Sequence, residues 1–411
     1  MTDSSQSEIG ILPCPGGMSF AEKIISYLEA VSEEKFNERV DSLCRTYGMA
    51  REQIVRQVNL SMDLQPSRAE TGGPVDRYRT PAYIVPAKYT RFPNGEFKTE
   101  ILTSVRNMDV YVVQDVANAY PLQFQKSDGH SILSVNDHIF CLLVTIDAAL
   151  QAGAETVTVV LPTFPYARQH KKKGRESLSA ARFAQILEYF GVSRVITLDI
   201  HSREIENSFH RVRLENLHGA YQVLKVLAGV TDLKDENLVV VSPDTGAVDR
   251  NKFYASILGR PLGILYKERD YSRIAQSAEN GNITNMRLLG SVEGRTVFMT
   301  DDLLGTGGTL IKAMKILKSF GAEKIICATS LPQFTGSAAE SFDKAYAENM
   351  FHRIIGTNAV YHDESLLSRE WYLSADVSGL FGRIIYRLHH HMSLSSLLDD
   401  RSVIKDLLKR T

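Results

Sequence analysis

The stretch TVFMTDDLLGTGGTL, residues 296–310, decides how this chain is read. A β-branched apolar strand runs into two adjacent acids, then a Gly-Thr turn, then an apolar helix. Gly305, Gly307 and Gly308 let backbone N–H groups approach a phosphate and permit positive φ, and Thr306 and Thr309 add hydroxyl donors at the positive end of the helix. Asp301 and Asp302, at the carboxyl end of the strand, are placed to accept hydrogen bonds from sugar hydroxyls. A lone Gly-Gly would be an ordinary strand-to-helix turn with a capping Thr. An acid pair and a Gly-Thr cradle coinciding at one strand-to-helix switch favour a ligand site.

Around this stretch, short β-branched runs alternate with helical patterns of period 3.6, the pattern of an α/β fold with a mainly parallel sheet. The strands are VYVVQD (110–115), TVTVVLP (156–162), VITLDI (195–200), LVVVSP (238–243), PLGILYK (261–267), TVFMTDD (296–302) and KIICATSL (324–331). Ile139, Leu142, Leu143, Ile146 and Leu150 share one helical face, as do Leu310, Met314, Leu317 and Phe320, with Gly321 placed to cap the second helix; both stripes read as core. GAETVTVVLPTF (153–164) echoes GAEKIICATSLPQF (321–334), a short hint of two similar halves. The first 85 residues differ. ILPCPGGMSFAEKIISYL (11–28) reads as strand, Gly turn and helix, 32–60 as amphipathic helix, and 61–82, with its prolines and glycines, as a linker.

A chain of 411 residues exceeds one ordinary core and predicts two domains plus an appendage. With 47 Lys and Arg against 48 Asp and Glu, there is no global field to hold nucleic acid or an anionic membrane. The apolar runs are strand-length, short of the roughly 20 residues a membrane helix needs. No basic segment leads into a long apolar one near the N-terminus, and Cys14, Cys44, Cys141 and Cys327 form no CxxC pair. Both features predict a cytoplasmic chain with reduced thiols.

The 296–310 segment resembles the loop shared by type I phosphoribosyltransferases and ribose-phosphate pyrophosphokinases. FPYARQHKKKGRESLSA (164–180), TLDIHSREIENSF (197–209), VSPDTGAVDR (241–250) and YKERD (266–270) resemble, in order, motifs of the pyrophosphokinases, as do RFPNGEFKTEI (91–101) and SVNDHIFCLLVTIDAAL (134–150). The resemblance implies two tandem type I phosphoribosyltransferase-like domains, each a mainly parallel sheet flanked by helices, with a helical insertion in the first. The expected boundaries are 1–30 with 85–220 for the N-terminal domain, 31–84 for the insertion and linker, 221–395 for the C-terminal domain and 396–411 for a tail.

The implied activity moves the diphosphoryl group of ATP to the C1 hydroxyl of ribose 5-phosphate, with Mg2+ on the phosphates. His201 and Asp244, each just beyond a strand, become magnesium-site groups with Asp199 in support; a helix-capping Asp and a satisfied surface His are the plainer account. Lys267 and Arg269 flank Glu268 on an extended segment, so period-two alternation turns both one way. By resemblance they stabilise charge on the transferring phosphoryl group; without it the stretch reads as a solvated charged loop. For ATP the implied residues are Arg168 and Gln169 with Phe92, Asn94, Gly95 and Glu96, the latter loop serving a neighbouring subunit. That implies a homo-oligomer built from dimers, a hexamer being one such assembly. The polar stretch 270–294 suits a flap over the substrates, and the basic run Arg168 to Arg175 is either solvated or an anion contact. His389, His390 and His391 read as cationic capping of a helix end.

This chain departs from the pattern at Gly305, where the pyrophosphokinases usually carry an acid, at Ala247 in place of a glycine, and in the insertion. Gly305 keeps two rivals open, a non-catalytic regulatory homologue that joins synthetase subunits and a phosphoribosyltransferase. Lys267, Arg269, His201 and Asp244 argue against the first, and the Arg168-Gln169 and Lys267-Arg269 segments against the second.

Overall fold

The computed structural model describes residues 8–57, 82–125, 129–172, 174–269 and 283–410. Most of the expected linker at 61–82, Lys173 of the basic run, and residues 270–282 of the expected flap lie outside the described residues. In chain order come β1 (Glu8–Pro13), α1 (Met18–Tyr47), α2 (Arg51–Gln57), β2 (Ala87–Arg91), β3 (Phe97–Ile101), β4 (Met108–Val113), β5 (Leu122–Gln123), β6 (His130–Ser131), α3 (Val135–Gln151), β7 (Thr156–Leu161), α4 (Ser179–Tyr189), β8 (Arg194–Leu198) and β9 (Arg213–Leu217). Then follow α5 (Ala220–Leu227), β10 (Leu238–Ser242), α6 (Val248–Leu258), β11 (Leu262–Arg269), β12 (Ile283–Leu289), β13 (Thr296–Leu304), α7 (Gly308–Ser319), β14 (Lys324–Pro332), α8 (Ala338–Ala347), β15 (Arg353–Thr357), α9 (Glu364–Leu367), β16 (Tyr372–Ala375), α10 (Ser378–His389), α11 (Ser395–Leu398) and α12 (Arg401–Arg410).

The chain divides into two compact units. One runs to Thr197 and adds Ser202–Asn216 and Ser378–Leu394; the other takes Leu198–His201, Leu217–Val377 and the chain from Ser395. Each is built on one sheet. The first has strand order β1-β4-β7-β8-β9, and the second β12-β11-β10-β13-β14-β15-β16. In the second sheet every pair is parallel except β11 with β12. Its β10 (LVVVS) and β14 (KIICATSLP) are almost wholly buried, which is why they read as apolar runs rather than alternating, and β13 is buried except at Thr296, Asp301 and Asp302.

All seven expected strands are present, and the core stripe on α7 holds for Leu310, Met314 and Leu317. Phe320 departs from it. It lies beyond the last helical residue and is 45% exposed, because Gly321, at φ 84°, turns the chain away there. The expected helix over 32–60 is also interrupted: Gly48, at φ 66°, ends α1 and α2 begins three residues later. Residues 31–47 therefore continue the same helix that starts at Met18. Phe36, Val40 and Leu43 of this outer half close a small core of their own with Ile54 of α2.

Helix α10 belongs to the first unit although the sequence puts it at the end of the second domain. Its Phe381 meets Phe20 of α1 edge-on at 5.1 Å between ring centres. Two of its glycines face Tyr27. At Gly382 a Cβ would lie 2.5 Å from Tyr27 Cδ1, whereas at Gly379 it would lie at an ordinary 3.4 Å from Cδ2. His389 does more than cap this helix. It is buried, and its Nδ1 lies 2.7 Å from the Asp109 carboxylate at the start of β4, which also accepts from the Thr156 hydroxyl at 2.7 Å.

The close approach of α1 and α10 sets a prediction. Gly382→Ala forces the helices apart and is expected to lower stability by about 1–3 kcal/mol, despite alanine's better helix propensity. Gly379→Ala has room and should be neutral or stabilising. Urea unfolding of both variants checks this, and equal effects would mean that packing against Tyr27 does not select glycine at 382.

Candidate functional site at the carboxyl edge of the second sheet

Strand β13 runs two residues further than its sequence suggests, so Asp301 and Asp302 lie within the paired ladder, Asp301 opposite Thr329 of β14. The preceding Thr300 is clamped to α6 by buried Asn251, which accepts from the Thr300 N–H at 2.9 Å and donates to its carbonyl at 2.8 Å. The acids are crowded. Burial and then the adjacent Asp302 charge push Asp301 up to about 7, with Asp244 adding to the repulsion. Burial would raise Asp302 too, but the His201 ring bonded to its carboxylate holds it low.

Beyond the acids, Gly307 takes φ 76°, and a Cβ on it would stand 2.4 Å from Phe342 Cε2. Glycine is required there on both counts. Thr306, Gly308 and Thr309 are exposed, and within the described residues no hydrogen bond engages either threonine hydroxyl. The hydroxyls therefore do not cap α7. They stand beside its first N–H groups, an arrangement suited to a phosphate.

Asp244, after β10, uses Oδ1 to accept the N–H groups of Gly246 at 2.8 Å and Ala247 at 3.0 Å, so one oxygen does cap the turn into α6. Asp199 is buried at φ 41° and carries four donors: His218 Nδ1 at 3.0 Å, Gly219 N–H at 3.2 Å, Ser330 Oγ at 2.6 Å and the Arg250 guanidinium at 3.4 Å. Burial opposes its charge, yet Arg250 and then His218 hold it well below the usual carboxylate range. With both oxygens engaged, Asp199 supports its neighbours rather than presenting a free ligand. Among the described residues no group of three or more His, Cys, Asp or Glu is set to hold a metal.

Lys267, Glu268 and Arg269 end β11 at the same carboxyl edge, since β11, β10 and β13 are adjacent and parallel. The ladder to β12 shifts register between Glu268 and Arg269. In the first unit, Phe92, Asn94, Gly95 and Glu96 form the turn between β2 and β3. Gly95 has φ 93°, Asn94 Oδ1 accepts the Glu96 N–H at 3.2 Å, and Phe92 is 42% exposed. Arg168 and Gln169 are exposed in the loop after β7. The second unit thus brings together His201, Asp199, Asp244, Asp301, Asp302 and the 305–309 loop. Sequence reading gave no role to Arg250, the last residue of the VSPDTGAVDR stretch, and missed His218 and Ser330, which carry no motif of their own.

Behind the loop, the carbonyl of Pro332, the last residue of β14, accepts from His362 Nε2 at 2.6 Å. A carbonyl only accepts, so this nitrogen carries the proton. Burial pushes His362 down to about 4.

Comparison with known proteins finds two family matches. Residues 76–191 match the N-terminal domain of ribose phosphate pyrophosphokinase, and residues 213–367 match a phosphoribosyl transferase domain. A ribose-phosphate pyrophosphokinase of Prochlorococcus marinus is 32% identical over 316 residues, covering 76% of this chain and 86% of its own. One from Wolinella succinogenes is 32% identical over 329 residues, 80% of this chain and 95% of its own. Among solved structures, phosphoribosylpyrophosphate synthetase from Mycobacterium smegmatis shares the fold, with a TM-score of 0.67, 23% identity and coverage of 93% of this chain and 99% of that one.

The depressed His362 has a measurable consequence. The unfolded chain protonates this ring below about 6.5, the folded chain only near 4, so stability falls as pH drops through that window, by up to about 1.4 kcal/mol per pH unit. Chemical unfolding at pH 7 and pH 5 should show the loss, and His362→Gln, which can still donate to Pro332, should flatten it. An unchanged slope would place the pH dependence elsewhere.

Proposed function

The chain belongs to the ribose-phosphate pyrophosphokinase family, and we propose that it catalyses that reaction: ATP and ribose 5-phosphate give AMP and phosphoribosyl pyrophosphate. The observation that carries the reading is the carboxyl edge of the second sheet. There an acid pair, an unengaged Gly-Thr cradle and the Lys267-Glu268-Arg269 strand end converge on adjacent parallel strands. In this reading the N–H groups at the start of α7, with Thr306 and Thr309, bind the 5-phosphate, and Gly305, Gly307 and Gly308 let it approach. Asp301 and Asp302 accept the sugar hydroxyls. The C1 hydroxyl oxygen attacks the β-phosphorus of ATP and gives up its proton to solvent, the bond from that phosphorus to the α-β bridging oxygen breaks, and AMP leaves. Lys267 and Arg269 are the groups that stabilise the charge that builds on the transferring unit.

Mg2+ is the cation this reading requires, and the crowding of Asp244, Asp301 and Asp302 fits a site that receives positive charge. His201 and Asp244 would hold it, sharing it with phosphate oxygens, and bound there it would neutralise phosphate charge. Asp199 acts through His218, Arg250 and Ser330. Phe92, Asn94, Gly95 and Glu96 with Arg168 and Gln169 hold adenine and its phosphates, the hairpin serving a second copy in a homo-oligomer built from dimers. Among the described residues no helix is long and apolar enough to cross a membrane. The four cysteines are free, and this reading takes the chain as cytoplasmic.

AMP release from ATP and magnesium, with and without ribose 5-phosphate, tests the reading directly. Release that depends on the sugar phosphate is expected. Its absence from folded protein that still binds ATP would favour a regulatory homologue. Lys267→Ala should lower kcat by on the order of 10²-fold or more with ATP binding kept, because it removes charge stabilisation in the transition state; equal loss of binding and rate would contradict the assignment. Thr309→Val should raise KM for ribose 5-phosphate and leave KM for ATP alone, and an unchanged value would count against the loop as the phosphate cradle.

A further inference from the structure

The 305–309 loop is held from outside. The Leu304 carbonyl accepts the N–H groups of Gln333 at 2.8 Å and Phe334 at 3.2 Å, and the Gly305 carbonyl accepts that of Thr335 at 3.1 Å. All three donors belong to the turn that follows β14. That turn is centred on a residue unsuited to it, since Phe334 has φ 44°, a conformation that a bulky L residue keeps only when its surroundings hold it there.

The surroundings are four aromatic rings. Phe334 lies 5.7 Å from Phe342, 5.6 Å from His362, 5.9 Å from Trp371 and 5.7 Å from Tyr372 between ring centres, three of them edge-on. His362 in turn is bonded to the Pro332 carbonyl, two residues before Phe334. Phe342 is also the ring against which Gly307 is seated. One aromatic cluster therefore meets the loop twice, through the Phe334 backbone at its start and through Phe342 at its middle.

We propose that Phe334 is a positioning residue for the sugar-phosphate loop: its boxed ring holds a left-handed turn whose N–H groups fix the Leu304 and Gly305 carbonyls, so the phosphate donors are set before the ligand arrives. Gly305 has no side chain with which to anchor the strand end. The backbone clamp from 333–335 does so instead. The identity of the ligand rests on the function proposed above, whereas the holding of the loop does not.

Hydrogen exchange on the ligand-free full chain reads the clamp without the reaction. In Phe334→Ala the amides of 304–310 should exchange about tenfold or more faster, with β10 unchanged. Phe334→Tyr should match the wild type. Phe334→Gly relieves the backbone but removes the ring, so it should be as loose as Phe334→Ala. If Phe334→Ala fails to fold, Phe334→Leu, which keeps apolar bulk, reads the same amides. In turnover, KM for ribose 5-phosphate should rise about tenfold in Phe334→Ala and KM for ATP stay within about twofold. Wild-type exchange at 304–310 in a folded variant without the ring, or an equal rise in both KM values, overturns the proposal. Altered exchange in a chain whose wild type makes no AMP supports the clamp and overturns the proposed activity instead.

Discussion

A single buried carboxylate organises the second unit. Asp199 follows β8, yet its partners come from the start of α5, from α6 and from the end of β14. A buried charge is tolerable only when paired and hydrogen-bonded, and here both oxygens are saturated by donors from three elements. These contacts accompany the grouping of residues 198–201 with the second unit, where His201, two positions on, reaches Asp302. Asp199 itself is left-handed at φ 41°, a conformation that its Gly219 and Ser330 bonds hold in place.

The same network sets the electrostatics of the edge. Arg250 acts on Asp199 first and on Asp302 and Asp301 after it. His201 and Arg250 together hold Asp302 ionised, which leaves Asp301 to carry the cost of crowding. Both acids are largely buried, and the bonded His201 ring and nearby Arg250 then drive the two apart in proton affinity. A site of this kind is suited to a ligand that brings hydroxyl donors and positive charge together.

Much of this was legible beforehand. The strands were visible because buried parallel strands are written in unbroken β-branched runs, and the 305–309 loop because Gly307 needs both a left-handed backbone and the absence of a Cβ. The helix break at Gly48 was overlooked because amphipathic spacing continues across it into α2. The register shift after Glu268 was invisible because register is a property of two strands, and period-two alternation describes one. His389 read as a helix-end cation since Asp109, its partner, lies 280 residues away in the chain.

By itself the amino-acid order determined the α/β class, the two-sheet plan, the acid pair and the glycines of the loop, because each is written in local periodicity or in the conformational demands of single residues. Only the tertiary structure decided that α10 joins the first unit, that Asp199 is saturated rather than open, and that Phe334 sits strained in a ring of aromatics under the loop. Those features are contacts between residues tens to hundreds of positions apart. Their energies depend on burial and on which donors meet which acceptors, and neither exists until the chain has folded.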